Sequence, residues 1–325
     1  MSDLKTVWGE RLDPNAVLPE YPRPQLVRES WCNLNGLWDY AITDTDREPE
    51  GCDGKILVPF SPEAPLSGVS RTLRPGQTLW YRRTLELQPQ RGKRLLLHIG
   101  ACDQRARVYL NGQLLGGHTG GYTAFTVELT GALRKGENTL CIAVRDDTEQ
   151  SPLSRGKQKT KRGGIWYTPQ SGIWQAVWAE WVPEVYVSGL RITPDAEKGS
   201  VRITVRSAEN RACYVLFQGR RTGGYTNREM NLTVTEPELW SPENPKLYGF
   251  SVELGEDRVQ SYFALRSVGT GADSEGRPCL LLNGRPYFHT GVLDQGYWPD
   301  GLYTAPSDEA LIYDIQLMKD MGFNM

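Results

Sequence analysis

Arg107-Val108-Tyr109-Leu110-Asn111-Gly112-Gln113-Leu114-Leu115 is the stretch that decides the fold class. Two strand-forming runs flank Asn-Gly, the pair that most readily takes the two positive φ angles of a tight hairpin turn. Outward from this turn the pattern repeats. Upstream, Arg94-Leu95-Leu96-Leu97-His98-Ile99 is a short apolar run of the buried-strand kind. Downstream, Thr126-Val127-Glu128-Leu129 and Thr139-Leu140-Cys141-Ile142-Ala143-Val144 lie either side of Gly136, and Trp174 to Trp181 reads as one more strand. No helical period intervenes. The expectation is a mainly β chain whose first domain, residues 1–182, is an antiparallel jelly roll.

Pro183 marks the next boundary. Val185-Tyr186-Val187, Val201 to Val205, Tyr214 to Phe217, Asn231 to Val234 and Phe250 to Leu254 follow at the rhythm of an immunoglobulin-like sandwich over 183–270. No cysteine pair stands at antibody-domain spacing, so no inter-sheet disulfide is expected. From 271 the character changes. Leu280-Leu281-Leu282, Asn283-Gly284 and Pro286-Tyr287-Phe288 predict a hairpin, and His289 to Leu293 a further strand. Ser307 reads as a helix N-cap, with Asp308 and Glu309 complementing the helix dipole. Leu311, Ile315 and Met318 give the helical period, and Gly322 ends it. Strand, helix and the apolar start Phe323-Asn324-Met325 form the opening of a βα repeat, which predicts a chain cut within a domain.

Composition narrows the function. The 325 residues are enough for two or three domains, and 34 Gly with 21 Pro suit many turns. A net charge of -2 argues against a general nucleic-acid or anionic-membrane binder. The start MSDLKTVWGERLDPN has no signal-peptide core, and nowhere do roughly 18 apolar residues run together as a membrane helix needs. Six scattered cysteines form no Cys-x-x-Cys, and the three histidines add no zinc-ligand spacing to them. The expectation is free thiols in a reducing cytoplasm, with no zinc site and no cofactor. Ten Trp and fifteen Tyr fit sugar recognition, although most such residues simply fill sandwich cores.

Several motifs occur in order: Trp80-Tyr81-Arg82-Arg83; Val108 to Gly112 followed by Gly117-His118 and Gly120-Gly121-Tyr122; Gly136-Glu137-Asn138; Ser171-Gly172-Ile173-Trp174; Leu239-Trp240-Ser241-Pro242-Glu243-Asn244-Pro245-Lys246-Leu247-Tyr248; and Leu281 to Phe288. Their order and spacing resemble glycoside hydrolase family 2, the β-galactosidase, β-glucuronidase and β-mannosidase family. The resemblance implies a sugar-binding jelly roll, an immunoglobulin-like sandwich and then a (β/α)8 barrel, of which 271–325 is the first βα unit. It also implies retaining hydrolysis of β-glycosides by two glutamates about 5–5.5 Å apart. Both sit on later barrel strands, so no residue here is assigned a catalytic role and the chain alone is expected to be inactive. A homo-oligomer is an open expectation for the full-length protein.

Substrate positioning remains. Barrel sites gather at the C-terminal ends of strands, which brings forward Asp294, Gln295, Tyr297 and Trp298. The acids and amides bridge hydroxyls and the aromatics floor a sugar ring. The resemblance adds Trp166, at the position from which related enzymes send an Asp to the sugar. That replacement, with Leu293-Asp294-Gln295 in place of an Asn-Arg-His run, points away from β-galactosidase or β-glucuronidase specificity. The basic loop with Lys157, Lys159 and Lys161 reads either as a contact for acidic sugars or as a solvated loop. A non-catalytic carbohydrate-binding sandwich protein and an adhesion protein are the competing readings. The βα opening after Gly271 favours neither.

Overall fold

The computed structural model describes residues 4–325. The chain divides into two compact units: Met1–Pro22 with Ser30–Trp181 and Asp294–Gln316, and Arg23–Glu29 with Val182–Leu293 and Leu317–Met325.

The first unit is an antiparallel two-sheet sandwich. One sheet has six strands in the order Gly54–Val58, Gly36–Thr43, Thr78–Leu87, Gly136–Arg145, Arg105–Leu110, Gln113–Thr119. The other has four: Trp31–Asn33, Val177–Pro183, Lys93–Ile99, Phe125–Glu128. The decisive hairpin forms as read. Asn111 and Gly112 take φ of 53° and 82°, and Arg105–Leu110 pairs with Gln113–Thr119. The Asn111 side chain also donates to Ala132 O and accepts from Thr139 N, both at 2.9 Å, tying the turn to the next hairpin. Alternation then sets the faces. Ala106, Val108 and Leu110 point into a core with Trp38, Tyr81, Leu95, Leu97 and Ile142, while Arg105, Arg107 and Tyr109 point away. The strand expected from Trp174 to Trp181 is broken. Gly172–Ile173 pairs with Cys102–Asp103, the chain turns where Trp174 N and Gln175 N both reach Ala101 O, and the strand resumes at Val177.

The second unit holds a sandwich of three strands (Gly189–Asp195, Ser200–Arg206, Glu229–Thr233) and four (Arg220–Tyr225, Ala212–Phe217, Tyr248–Leu254, Asp257–Phe263). Val201, Ile203, Val215, Val252, Val259 and Phe263 fill its core. The Leu239 to Tyr248 motif is a loop pinned by its last residue. The Tyr248 hydroxyl accepts from Glu238 N at 2.7 Å, and its ring stacks on Phe263. Val185 to Val187, expected as a strand, instead runs alongside Asp257, whose carboxylate accepts Val187 N at 2.7 Å. A three-stranded sheet of Val268–Ala272, Pro278–Leu282 and Arg285–Pro286 follows, with Asn283 and Gly284 at φ 53° and 74°.

His289 to Leu293 is exposed and joins no ladder of its own. It does meet the chain end: Asn324 N donates to Thr290 O at 2.9 Å and Val292 N to Met325 O at 3.0 Å. The expected helix is present as Asp308–Asp320, with Ser307 Oγ accepting Ala310 N at 3.3 Å. Only Ala310 of that helix is buried.

Candidate sugar-binding site

Within the first unit a row of aromatic rings is built from four separate segments. Tyr122 meets Trp174 at 5.7 Å, Trp174 meets Tyr303 at 5.6 Å, Tyr303 meets Tyr297 at 5.1 Å, and Tyr297 stacks on Tyr167 at 4.8 Å. Backbone and amide bonds hold the row in place. Trp174 Nε1 donates to Gly121 O at 2.8 Å, and the Tyr297 hydroxyl to Thr168 O at 2.9 Å. Gln158 Nε2 donates to the Tyr122 hydroxyl at 2.9 Å while its Oε1 accepts Gln170 N. Gln170 Oε1 in turn accepts Tyr303 N at 3.1 Å. Thr304 Oγ1 donates to Trp174 O at 2.6 Å.

Beside this row lie three buried carboxyls. Glu63 accepts Leu73 N and Ser171 N, each at 3.0 Å. Asp146 accepts Thr148 N and the Ser171 hydroxyl at 2.7 and 2.9 Å. Ser171 thus bridges two acids, which explains the Ser of the Ser-Gly-Ile motif. Its Gly172 has φ +72°, and a Cβ there would stand 2.1 Å from the Tyr81 hydroxyl. Asp103 lies against Gly121 so closely that a Cβ on that glycine would be 2.2 Å from Oδ1. Asp103 Oδ1, both polar atoms of the Gln104 side chain and Gln170 Nε2 are buried without a protein partner.

Burial dominates the electrostatics here, because taking a carboxylate out of water disfavours its charge. It pushes Glu63 up to about 8 against the pull of three backbone N–H groups. Asp103 rises for the same reason, reinforced by the nearby Asp146 charge, and Asp146 rises chiefly by burial. Burial, then the Asp103 charge, pushes the Tyr122 hydroxyl up; burial does the same to Tyr297 and Tyr303. Near neutrality the site therefore offers hydroxyls and carboxyls that donate as well as accept.

The residues singled out from the sequence are dispersed. Tyr297 sits within the aromatic row. Trp298 is buried against Trp8 at 6.2 Å, and its N–H and C=O both bond Leu302. Asp294 and Gln295 are exposed, Asp294 Oδ1 accepting Gly296 N at 2.7 Å in a local turn. Trp166 is half-buried in a small hairpin with Gly163, with Lys159 Nζ 4.1 Å from its ring centre. Asp103, Glu63, Asp146 and Gln170 were not found by motif. Nothing local marks them: Asp146, for one, sits in the charged run Arg145-Asp146-Asp147-Thr148-Glu149.

Comparison with known proteins agrees with this architecture. Residues 72–190 match the glycosyl hydrolase 2 galactose-binding domain-like family, and 185–266 match glycosyl hydrolases family 2. A putative β-glucuronidase of Formosa agariphila is 27% identical over 268 residues, covering 75% of this chain and 31% of that protein. A β-galactosidase of Bacteroides ovatus is 26% identical over 306 residues, covering 84% and 34%. Among solved structures, a Ruminococcus gnavus β-glucuronidase superposes with a TM-score of 0.74 at 19% identity, over 95% of this chain and 55% of that one. A β-glucuronidase from an uncultured Clostridium gives 0.73 at 22%, over 92% and 55%. These likenesses carry the fold. The chain spans about a third of the curated relatives it matches and about half of the solved chains. With two consecutive family matches running from residue 72 to 266, the chain belongs to glycoside hydrolase family 2.

Proposed function

We propose that this chain forms the N-terminal, sugar-facing part of a retaining β-glycosidase acting on O-glycosidic bonds of β-linked sugars. Asp103 and the Tyr122–Trp174–Tyr303–Tyr297 row receive a sugar ring in this reading. The observation that carries it is Asp103: a carboxyl 2% exposed, with one oxygen unpartnered, beside a continuous aromatic row. Aromatic faces stack on the C–H faces of a pyranose, and a buried carboxyl satisfied only by a ligand hydroxyl discriminates strongly against analogues lacking it. The relatives' names, β-glucuronidase and β-galactosidase, support a β-glycoside as the substrate class.

Residues 271–325 open the catalytic barrel in this proposal. The bonds from Asn324 and Val292 that join Thr290–Val292 to the chain end, flanking the Asp308–Asp320 helix, support it. The two glutamates belong to later strands, so the 325-residue chain binds but does not hydrolyse. The test is purified chain with p-nitrophenyl β-glucuronide, β-galactoside and β-mannoside, with binding of the methyl β-glycosides followed by saturation-transfer NMR. No turnover, with binding lost in Asp103→Ala, is expected. Hydrolysis by pure material overturns the absent catalytic pair, and binding unchanged in Asp103→Ala overturns the site.

A further inference from the structure

We infer that the outer face of the six-stranded sheet carries a binding groove for the anionic groups of an acidic or sulfated oligosaccharide, separate from Asp103 and its aromatic row. The register places the residues. Arg105 lies opposite Arg145 on one side and Thr119 on the other, and Arg107 lies opposite Gly117. Opposed residues share a face. Because Ala106 and Val108 point into the core, Arg105, Arg107, Arg145 and Thr119 all point out. With Asp46, Gly117 and His118 they line an open groove of about 560 Å³. That is the size of a small-ligand site, roughly 300–1,000 Å³, and too small for a duplex nucleic acid.

The arginines are held but not spent. Arg105 Nη1 and Arg145 Nε each lie 3.3 Å from a different oxygen of the same Asp147, and Arg107 Nη2 lies 3.3 Å from Asp46. Asp147 and Asp46 are themselves tied, by Gly76 N at 3.0 Å and the Thr78 hydroxyl at 2.9 Å. Three guanidinium groups thus face two carboxylates, and each guanidinium has N–H donors beyond its single contact. Planar forks on rigid strands match carboxylate and sulfate oxygens in pairs. Gly117 lets its strand approach the Ala106–Arg107 backbone closely, since a Cβ there would meet Ala106 O at 2.4 Å. The Thr119 hydroxyl supplies a neutral contact for the sugar itself. Three arginines against Asp46 and Asp147 leave the groove one positive charge in excess, on a chain whose net charge is -2, which suits a discrete anionic ligand.

The experiment is isothermal titration calorimetry of the purified 325-residue chain at low and physiological salt. The probes are a chondroitin sulfate tetrasaccharide, its desulfated and carboxyl-reduced counterpart, and sodium sulfate. Saturable binding of the sulfated probe is expected, at least tenfold tighter than the neutral counterpart or sulfate alone. Arg105→Gln/Arg107→Gln should weaken it at least tenfold with an unchanged melting temperature. Thr119→Glu keeps all three arginines and should weaken it similarly, whereas Arg258→Gln, an exposed arginine of the other unit, should leave it unchanged. No saturable binding, binding retained in both groove variants, or equal loss in Arg258→Gln overturns the groove. Sodium sulfate binding as tightly as the tetrasaccharide overturns the saccharide ligand.

Discussion

Arg28 grips Asp257 with two hydrogen bonds of 2.9 Å, one to each carboxylate oxygen, although the two residues lie 229 positions apart. Both side chains are only 4% exposed. The same guanidinium donates to Val187 O at 2.6 Å, and Asp257 accepts Val187 N at 2.7 Å, so the pair closes a three-way joint within the second unit. Removing one partner strands a buried charge, a loss of about 3–5 kcal/mol. Asp257→Ala is expected to lower the urea midpoint of that unit accordingly. The double replacement Arg28→Met/Asp257→Leu should recover much of the loss, and failure to exceed the single variant would show that the joint acts through backbone geometry instead.

Gly121 sets how deep Asp103 can sit. Gly121→Ala forces the carboxyl aside, since the new methyl would fall 2.2 Å from Oδ1. A stability loss of about 1–3 kcal/mol is expected from overpacking. Sugar binding should be abolished while the melting transition stays cooperative. Gly131→Ala, at a position where a Cβ meets nothing within 4 Å, is the matched control and should alter neither.

The buried acids give the first unit a definite pH response. Glu63 is raised in the folded state to about 8, so folded protein holds more protons than unfolded chain between about 4.5 and 8. Stability is therefore greatest at the acid end of that window, falls as pH rises through it, and levels above about 8. Asp103, raised by burial and by Asp146, adds to the slope in the same direction. Urea melts at pH 5, 6, 7 and 8 should show a decline on the order of 3 kcal/mol for each of the two acids. Asp103→Asn removes one titrating group and should make the decline shallower; an equal or steeper slope would sink the assignment.

Trp174 is the keystone of the aromatic row, touching both Tyr122 and Tyr303. Trp174→Phe keeps a flat face but drops the indole N–H that Gly121 O accepts. Sugar affinity should fall about threefold to tenfold, in line with one neutral hydrogen bond of about 1 kcal/mol. Trp174→Ala should remove detectable binding. Titration by intrinsic fluorescence or NMR separates the two.

How much of this was legible beforehand depends on the range of the interaction. Asn111-Gly112 and Asn283-Gly284 announce their hairpins because positive φ is a local demand. Ser307 announces its helix through an N-cap bond three residues on. Val185 to Val187 has strand composition, but Asp257, far along the chain, captures its backbone. Trp174 to Ala176 reads as continuous strand, yet Ala101 O bends it. The site was harder still. Tyr297 was found by its place after an apolar segment, whereas Asp103 and Glu63 look like ordinary surface acids until the sheets close over them. Ser171 and Gly172 stood out as a motif, but their reasons, two carboxyls and the Tyr81 hydroxyl, exist only in three dimensions.

The small ring closed by the paired bonds between Trp298 and Leu302 has one further consequence. It works as a gauge block between Tyr297 and Tyr303, fixing the chain length between two members of the aromatic row. Chemistry inside the block is partly free, because Pro299 is exposed, while Gly301 is not, since a Cβ there would strike Thr304 O at 2.0 Å. Length is not free at all. One inserted residue would swing Tyr303 off Trp174 without disturbing either sheet, so loop length at this point tunes recognition separately from folding.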